Sequence, residues 1–281
     1  MTLGSELAAV FFGLASAATW GVADFSGGLA TRRTPVLTVT LLSQTAGLIL
    51  LMLLALARTE SLLSLPDMAW GAAAGVAGLI GLIGLYRAMA IGQMGIAAPV
   101  TAVLAAGLPV VVGAFTQGLP DLIHLLGFAL ALAGIWLISR PQDGSGRPHG
   151  LGLAVMAGLG FGCFLTFIAQ VDSKAVFWPL VTARAASIAL MIGFLVTRPK
   201  PALPAKNVWL LILLAGVMDA GGNAFFVLAE QAGRLDVAST LASLYPATTV
   251  LLALLVLKEK IGGRQNMGIL LALIAILLIA L

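Results

Sequence analysis

The side chains able to carry charge deep inside this chain are few, and they fall at helical spacings. In "GVMDAGGNAFF" (216–226), Asp219 and Asn223 lie four positions apart, which puts them on one face of a helix. Trp20 and Asp24 share a face by the same spacing. Arg184 stands inside another apolar run. These groups suit three kinds of chemistry: a structural Asp219–Arg184 pair, contact with a polar solute, or a proton relay. Trp20, Tyr86 and Tyr245 offer aromatic faces with a polar edge, suited to a small organic solute and equally to wall packing. Prenyl transfer would need clustered acids for Mg²⁺–diphosphate, and proteolysis a nucleophile with a base. The sequence offers neither pattern, so we expect no enzyme, cofactor or metal.

The elements that must position these residues follow from composition. Of 281 residues 60% are hydrophobic and 9% charged, against about 25% charged in a soluble domain; mean hydropathy is +1.10. Apolar runs of about 20 residues, long enough to cross a ~30 Å hydrocarbon core, recur throughout. Lipid satisfies no backbone polar group, so the runs must be helices. The net charge of +4 reads as basic loops on one membrane side, not as nucleic-acid binding. Cys163 is the one cysteine, which leaves no internal disulfide. The apolar start lacks a preceding Lys or Arg and is read as a span, not a cleaved signal.

Charges, prolines and glycines divide the chain into ten spans: 6–26, 35–57, 68–92, 95–116, 121–139, 150–170, 175–197, 207–230, 235–257 and 263–281. The reading is an all-α membrane protein with a linker at 141–149 between units 1–140 and 150–281. The halves look alike: Trp70 and Trp209 head the third and eighth spans, and "GFALALAGIWLIS" (127–139) resembles "GILLALIAILLIA" (268–280). Five spans is an odd number, so the second unit enters from the opposite side, an inverted-topology repeat. Ten loop Lys and Arg fall on one side and three on the other. That places both termini on the outer face of a bacterial inner membrane.

Charge at mid-membrane costs roughly 2.5–3.5 kcal/mol on insertion scales, so such groups face a partner, water or the interior. Asp219 and Arg184 fall near the centres of their spans. Asp24, nearer a span end, is expected as a hydrated end-of-helix residue or a coupling charge. Pro109 and Pro246 interrupt the fourth and ninth spans and are expected as kinks facing a cavity. Gly71, Gly75, Gly78, Gly81 and Gly84 form a stripe for close helix packing. Arg87 is close enough to a span end to snorkel, while Glu230 and His124 read as interfacial.

The pattern "ATWGVADF" (18–25), with "SLYPATTVLLALLVLKEKIGGRQNMG" (243–268) carrying Pro246, Glu259 and Gly268, resembles the drug/metabolite transporter superfamily, in particular its ten-helix EamA-type members. In the first half Gly118 stands where the matching glutamate would be. The resemblance implies two inverted five-helix units, with a central cavity lined by the first four helices of each and the fifth helices outside. It is similar to bacterial exporters of aromatic amino acids. Our reading is of a monomeric carrier in the bilayer that exports a small-molecule substrate, one half rocking against the other. Trp20, Tyr86, Asp219, Asn223 and Tyr245 would line the cavity, and Glu259 would be structural. The rival expectation is proton-coupled efflux of lipophilic cations at Asp219 or Asp24.

Overall fold

A computed structural model describes residues 3–92, 94–117, 122–138, 149–171, 174–197, 203–232, 241–242, 244–259 and 261–279. Its α-helices are α1 (Leu3–Thr31), α2 (Val36–Ala57), α3 (Leu65–Ile91), α4 (Met94–Gln117) and α5 (Leu122–Ile138), then α6 (Leu151–Ile168), α7 (Phe177–Val196), α8 (Trp209–Ala232), α9 (Tyr245–Val256) and α10 (Gly263–Ile279). The linker residues 141–148, Gly118 and the start of the ninth span (235–240) lie outside the described residues, as do the side chains of Pro109, His124 and Glu230. Six described helices are long and apolar enough to cross a membrane, and four shorter apolar ones accompany them. This is a ten-helix, all-α membrane fold.

Two boundaries bear on the sequence reading. First, α1 continues to Thr31, so Asp24 lies seven residues, about 10 Å, inside the helix end and is not a terminal residue. Second, Pro246 lies in the first turn of α9. There the missing N–H leaves no bond of α9 unmade; residues 241–242 just before it are helical too, with Leu244 in a turn, so Pro246 sits where the ninth span is interrupted. Helix α4 runs on through Pro109.

Eight helices close a ring in the order α1, α8, α2, α7, α3, α6, α4, α9 and back to α1. Every neighbour in that ring comes from the other half of the chain. The pairings also repeat: α1 with α8 matches α6 with α3, and α2 with α8 matches α7 with α3. Outside the ring, α5 packs on α10, and α10 rests on α4. A rigid five-helix half therefore has no surface of its own to rock on, because moving it would break all eight ring contacts.

Small residues make the ring tight. A Cβ added at Gly75 would lie 1.9 Å from the Ala183 carbonyl oxygen, so α3 and α7 touch backbone to backbone. The Ser187 hydroxyl fixes that crossing by donating to the Gly75 carbonyl at 2.7 Å. At the α3–α6 crossing, a Cβ on Gly160 would reach within 2.6 Å of the Gly81 nitrogen. Close approach of this kind is how helices gain van der Waals contact where lipid removes the hydrophobic drive. Large apolar side chains such as Leu53, Leu56, Leu132 and Leu210 stay exposed on the outside.

Among the described residues, loop contacts keep parity. The α9–α10 loop touches the α3–α4 and α1–α2 loops, while the α2–α3 loop touches the start of α7, and Gln231 in the last turn of α8 reaches Lys174 before α7. Odd-numbered loops meet odd and even meet even, as required if each helix traverses the full bundle.

Candidate functional site

The ring encloses a cavity of about 140 Å³. An apolar cavity of ~150 Å³ holds a benzene-sized molecule. All eight ring helices contribute to the wall, and neither α5 nor α10 does among the described residues.

One side of the wall is a closed polar network. Arg184, on α7, has only 7% of its side chain exposed. Its guanidinium donates to Gln44 Oε1 at 2.6 Å and, through a very short contact, to the Asp219 carboxylate. Asn223, one turn on from Asp219, donates to the Asp219 backbone carbonyl at 2.7 Å. Ion and amide thus satisfy each other, the condition under which a buried pair is tolerated. Of the three chemistries open for Asp219, the pair with Arg184 is formed, and it is formed on the cavity surface.

Glycines seat the segment 216–226. Gly216 meets the Ser43 carbonyl of α2, where an added Cβ would come within 2.2 Å. Gly222 holds the Trp20 indole, whose Cδ1 would lie 2.4 Å from a Cβ there. Its carbonyl accepts from the Ser16 hydroxyl at 2.9 Å. The two glycines seat α8 against α2 and α1, and this turns Asp219 and Asn223 toward the cavity.

The opposite side is aromatic with one acid. Trp20 lies edge-to-face with Tyr245 at a centroid distance of 6.1 Å and stacks on Phe226 at 5.9 Å. Asp24, one turn along α1, is 7% exposed and lines the cavity. Trp20, Asp24, Arg184, Asp219, Asn223 and Tyr245 are thereby brought together.

Tyr86 is not. It is 1% exposed and absent from the wall. Its ring fills the notch at Gly27, where a Cβ would lie 2.0 Å from Tyr86 Cζ. The expected cavity residue is instead packing behind the wall. Gln44, Phe161, Phe164 and Ser187 also line the cavity, and sequence reasoning did not place them there. The i, i+3 spacing of the two phenylalanines on α6 was the available signal.

Two glutamates matter at the ends. Glu259 accepts from the Met94 and Gly95 amides at the start of α4, both at 3.1 Å, and pairs with Arg32 at 3.2 Å. Glu60, unremarked in the sequence, accepts from the Val176 and Phe177 amides at the start of α7, both at 2.9 Å. Each carboxylate meets the positive end of a helix.

A family described as "EamA-like transporter family" matches the chain twice, over residues 7–140 and 148–281. No curated protein matches. A solved structure described only as "Crystal structure of protein" is similar, with a TM-score of 0.66 and 19% identity over 96% of this chain and 95% of the other; it speaks for the fold.

Proposed function

The chain belongs to the EamA-like transporter family, and from that premise we propose that it exports small organic metabolites, amino acids and aromatic ones among them, by alternating access. The observation that carries this reading is the ring cavity, which sets a satisfied ion network against aromatic faces and an acid. Such a wall can orient a small polar solute while holding its apolar body. In this reading the protein works as a monomer in a bacterial inner membrane, with inverted repeats and both termini outside.

The moving units follow from the ring. Cutting it at α2/α7 and at α4/α9 leaves two groups, α9–α1–α8–α2 and α7–α3–α6–α4, each drawn from both repeats. Glu259 pins the α4/α9 seam at one end, and Glu60 pins the α2/α7 seam at the other. Rotation about the diagonal joining these pins opens one seam at one end as it closes the other seam at the opposite end. That exchange is what alternating access requires.

The test is counterflow in proteoliposomes with labelled amino acids, nucleosides and cations, with and without a pH gradient. Asp219→Asn removes a charge-assisted bond to Arg184, worth about 1.5–3 kcal/mol, and is expected to slow counterflow roughly ten- to a hundredfold. Unchanged counterflow at equal expression would overturn the assigned cavity. Loss of transport when the pH gradient is collapsed would favour the proton-coupled cation pump instead.

A further inference from the structure

Asp24 is the acidic group on the cavity wall that the ion network leaves out. The Arg184 guanidinium is held by Asp219 and Gln44. Asp24 shares the cavity wall with Asp219 on α8 and Tyr245 on α9, and the one cation among the lining residues is the already-paired Arg184. Among the described residues its carboxyl makes no hydrogen bond and no ion pair, although it is more than nine-tenths buried. It opens into the cavity one helical turn from Trp20.

Counting charge along the wall gives one arginine against two aspartates. The Arg184–Asp219 pair is neutral, and one carboxyl remains. A buried carboxyl is tolerated when a cation pairs with it or a proton neutralises it, and an incoming cation can take that proton's place. Beside it stand the indole of Trp20 and the phenol of Tyr245, held edge-to-face. Carboxylate with aromatic faces is the chemistry that recognises an ammonium group. Arg184, by contrast, is already neutralised and offers an incoming carboxylate little.

We propose that Asp24 is the counter-charge for a cationic amino group on the cargo, so that the site selects amines by their nitrogen and not by a carboxylate. This rests on the transporter reading. The ammonium lies at Asp24 within reach of Trp20 and Tyr245, and the apolar body extends toward Phe161 and Phe164. A decarboxylated amine then binds at least as tightly as its parent amino acid, and the deaminated acid is rejected.

Four probes of one shape separate the outcomes: phenethylamine, phenylalanine, 3-phenylpropionate and 2-phenylethanol. Each is titrated calorimetrically against the full chain in lipid nanodiscs and used as a competitor in counterflow. Phenethylamine and phenylalanine are expected to bind at least roughly tenfold more tightly than the acid and the alcohol, a ratio well resolved in Kd. Asp24→Asn should bring phenethylamine level with 2-phenylethanol, and Asp24→Glu should keep them apart. Equal binding of acid and amine to the natural chain would overturn the assignment, as would an amine preference that survives in Asp24→Asn. The wild-type ranking alone can do so if Asp24→Asn does not fold. If a nucleoside is carried and none of the four probes binds, the assignment falls and the transporter stands; if no solute is carried at all, both fall.

Discussion

The two corners pinned by Glu60 and Glu259 are built alike and held differently. In each, a helix ends, one residue takes a left-handed backbone, and a glutamate follows. Thr59 (φ 49°) and Lys258 (φ 51°) are the only non-glycine residues with positive φ among those described. The reversal aims the carboxylate at the first amides of a helix from the other repeat: Glu60 at α7, Glu259 at α4. The difference is charge. Glu259 also holds Arg32, which further donates to the Met89 carbonyl at 3.4 Å. Glu60 has no cation among the described contacts; its backbone carbonyl accepts from the Trp178 indole at 3.1 Å. One corner joins three segments through an ion, and the other joins two through helix amides.

That difference ranks the consequences of breaking them. Glu259→Ala strands two amides of α4 and the Arg32 guanidinium together. With a helix cap worth about 0.5–2 kcal/mol and a bond to a charged group about 1.5–3 kcal/mol, a loss near 3 kcal/mol is expected. Thermal unfolding in detergent should show the largest fall in Tm of the corner variants. If the pins define the hinge, counterflow should fall with it even below that Tm. A Tm within a degree of the natural chain would show that the corner holds nothing.

Glu60→Ala removes only the cap of α7, and about 1–2 kcal/mol is expected. Salt sharpens the contrast. Part of the Glu259 corner is an ion pair whose Arg32 side chain is 31% exposed, so added salt should weaken it. The Glu60 corner has no such exposed pair and should respond less. The difference in Tm between the natural chain and each variant, measured at low and high salt, reads this directly; an equal salt response would collapse the distinction.

How far this was legible in the sequence depends on the physics behind each feature. The spans were readable because lipid imposes length and apolarity on one segment at a time. Asp219 and Arg184 were legible as partners because each falls at the centre of its own span. Tyr86 was misread because its spacing cannot say whether the ring meets a cavity or the notch at Gly27 on another helix. Glu60 left no trace, since its partners lie 116 to 118 residues away with no motif between them. The alternation of repeats around the ring was hidden for the same reason: it is a property of contacts between helices and of no single stretch.

The smallest effect tests the strain both corners share. A left-handed backbone costs an L-residue roughly 1–2 kcal/mol, which glycine does not incur. Thr59 is β-branched and crowds that conformation more than Lys258 does. Its neighbours already fit the geometry: the Thr59 amide donates to the Leu56 carbonyl at 3.1 Å and the Glu60 amide to the Ala55 carbonyl at 3.3 Å, the bond pattern of a glycine-terminated helix. Thr59→Gly should therefore stabilise the chain by up to about 1 kcal/mol, net of the added freedom of the unfolded state. Lys258→Gly should gain less, because the unbranched side chain it replaces is less crowded. Tm of the two variants against the natural chain decides it. A fall for Thr59→Gly would mean that the threonine side chain, and not the backbone bonds around it, holds the Glu60 corner in place.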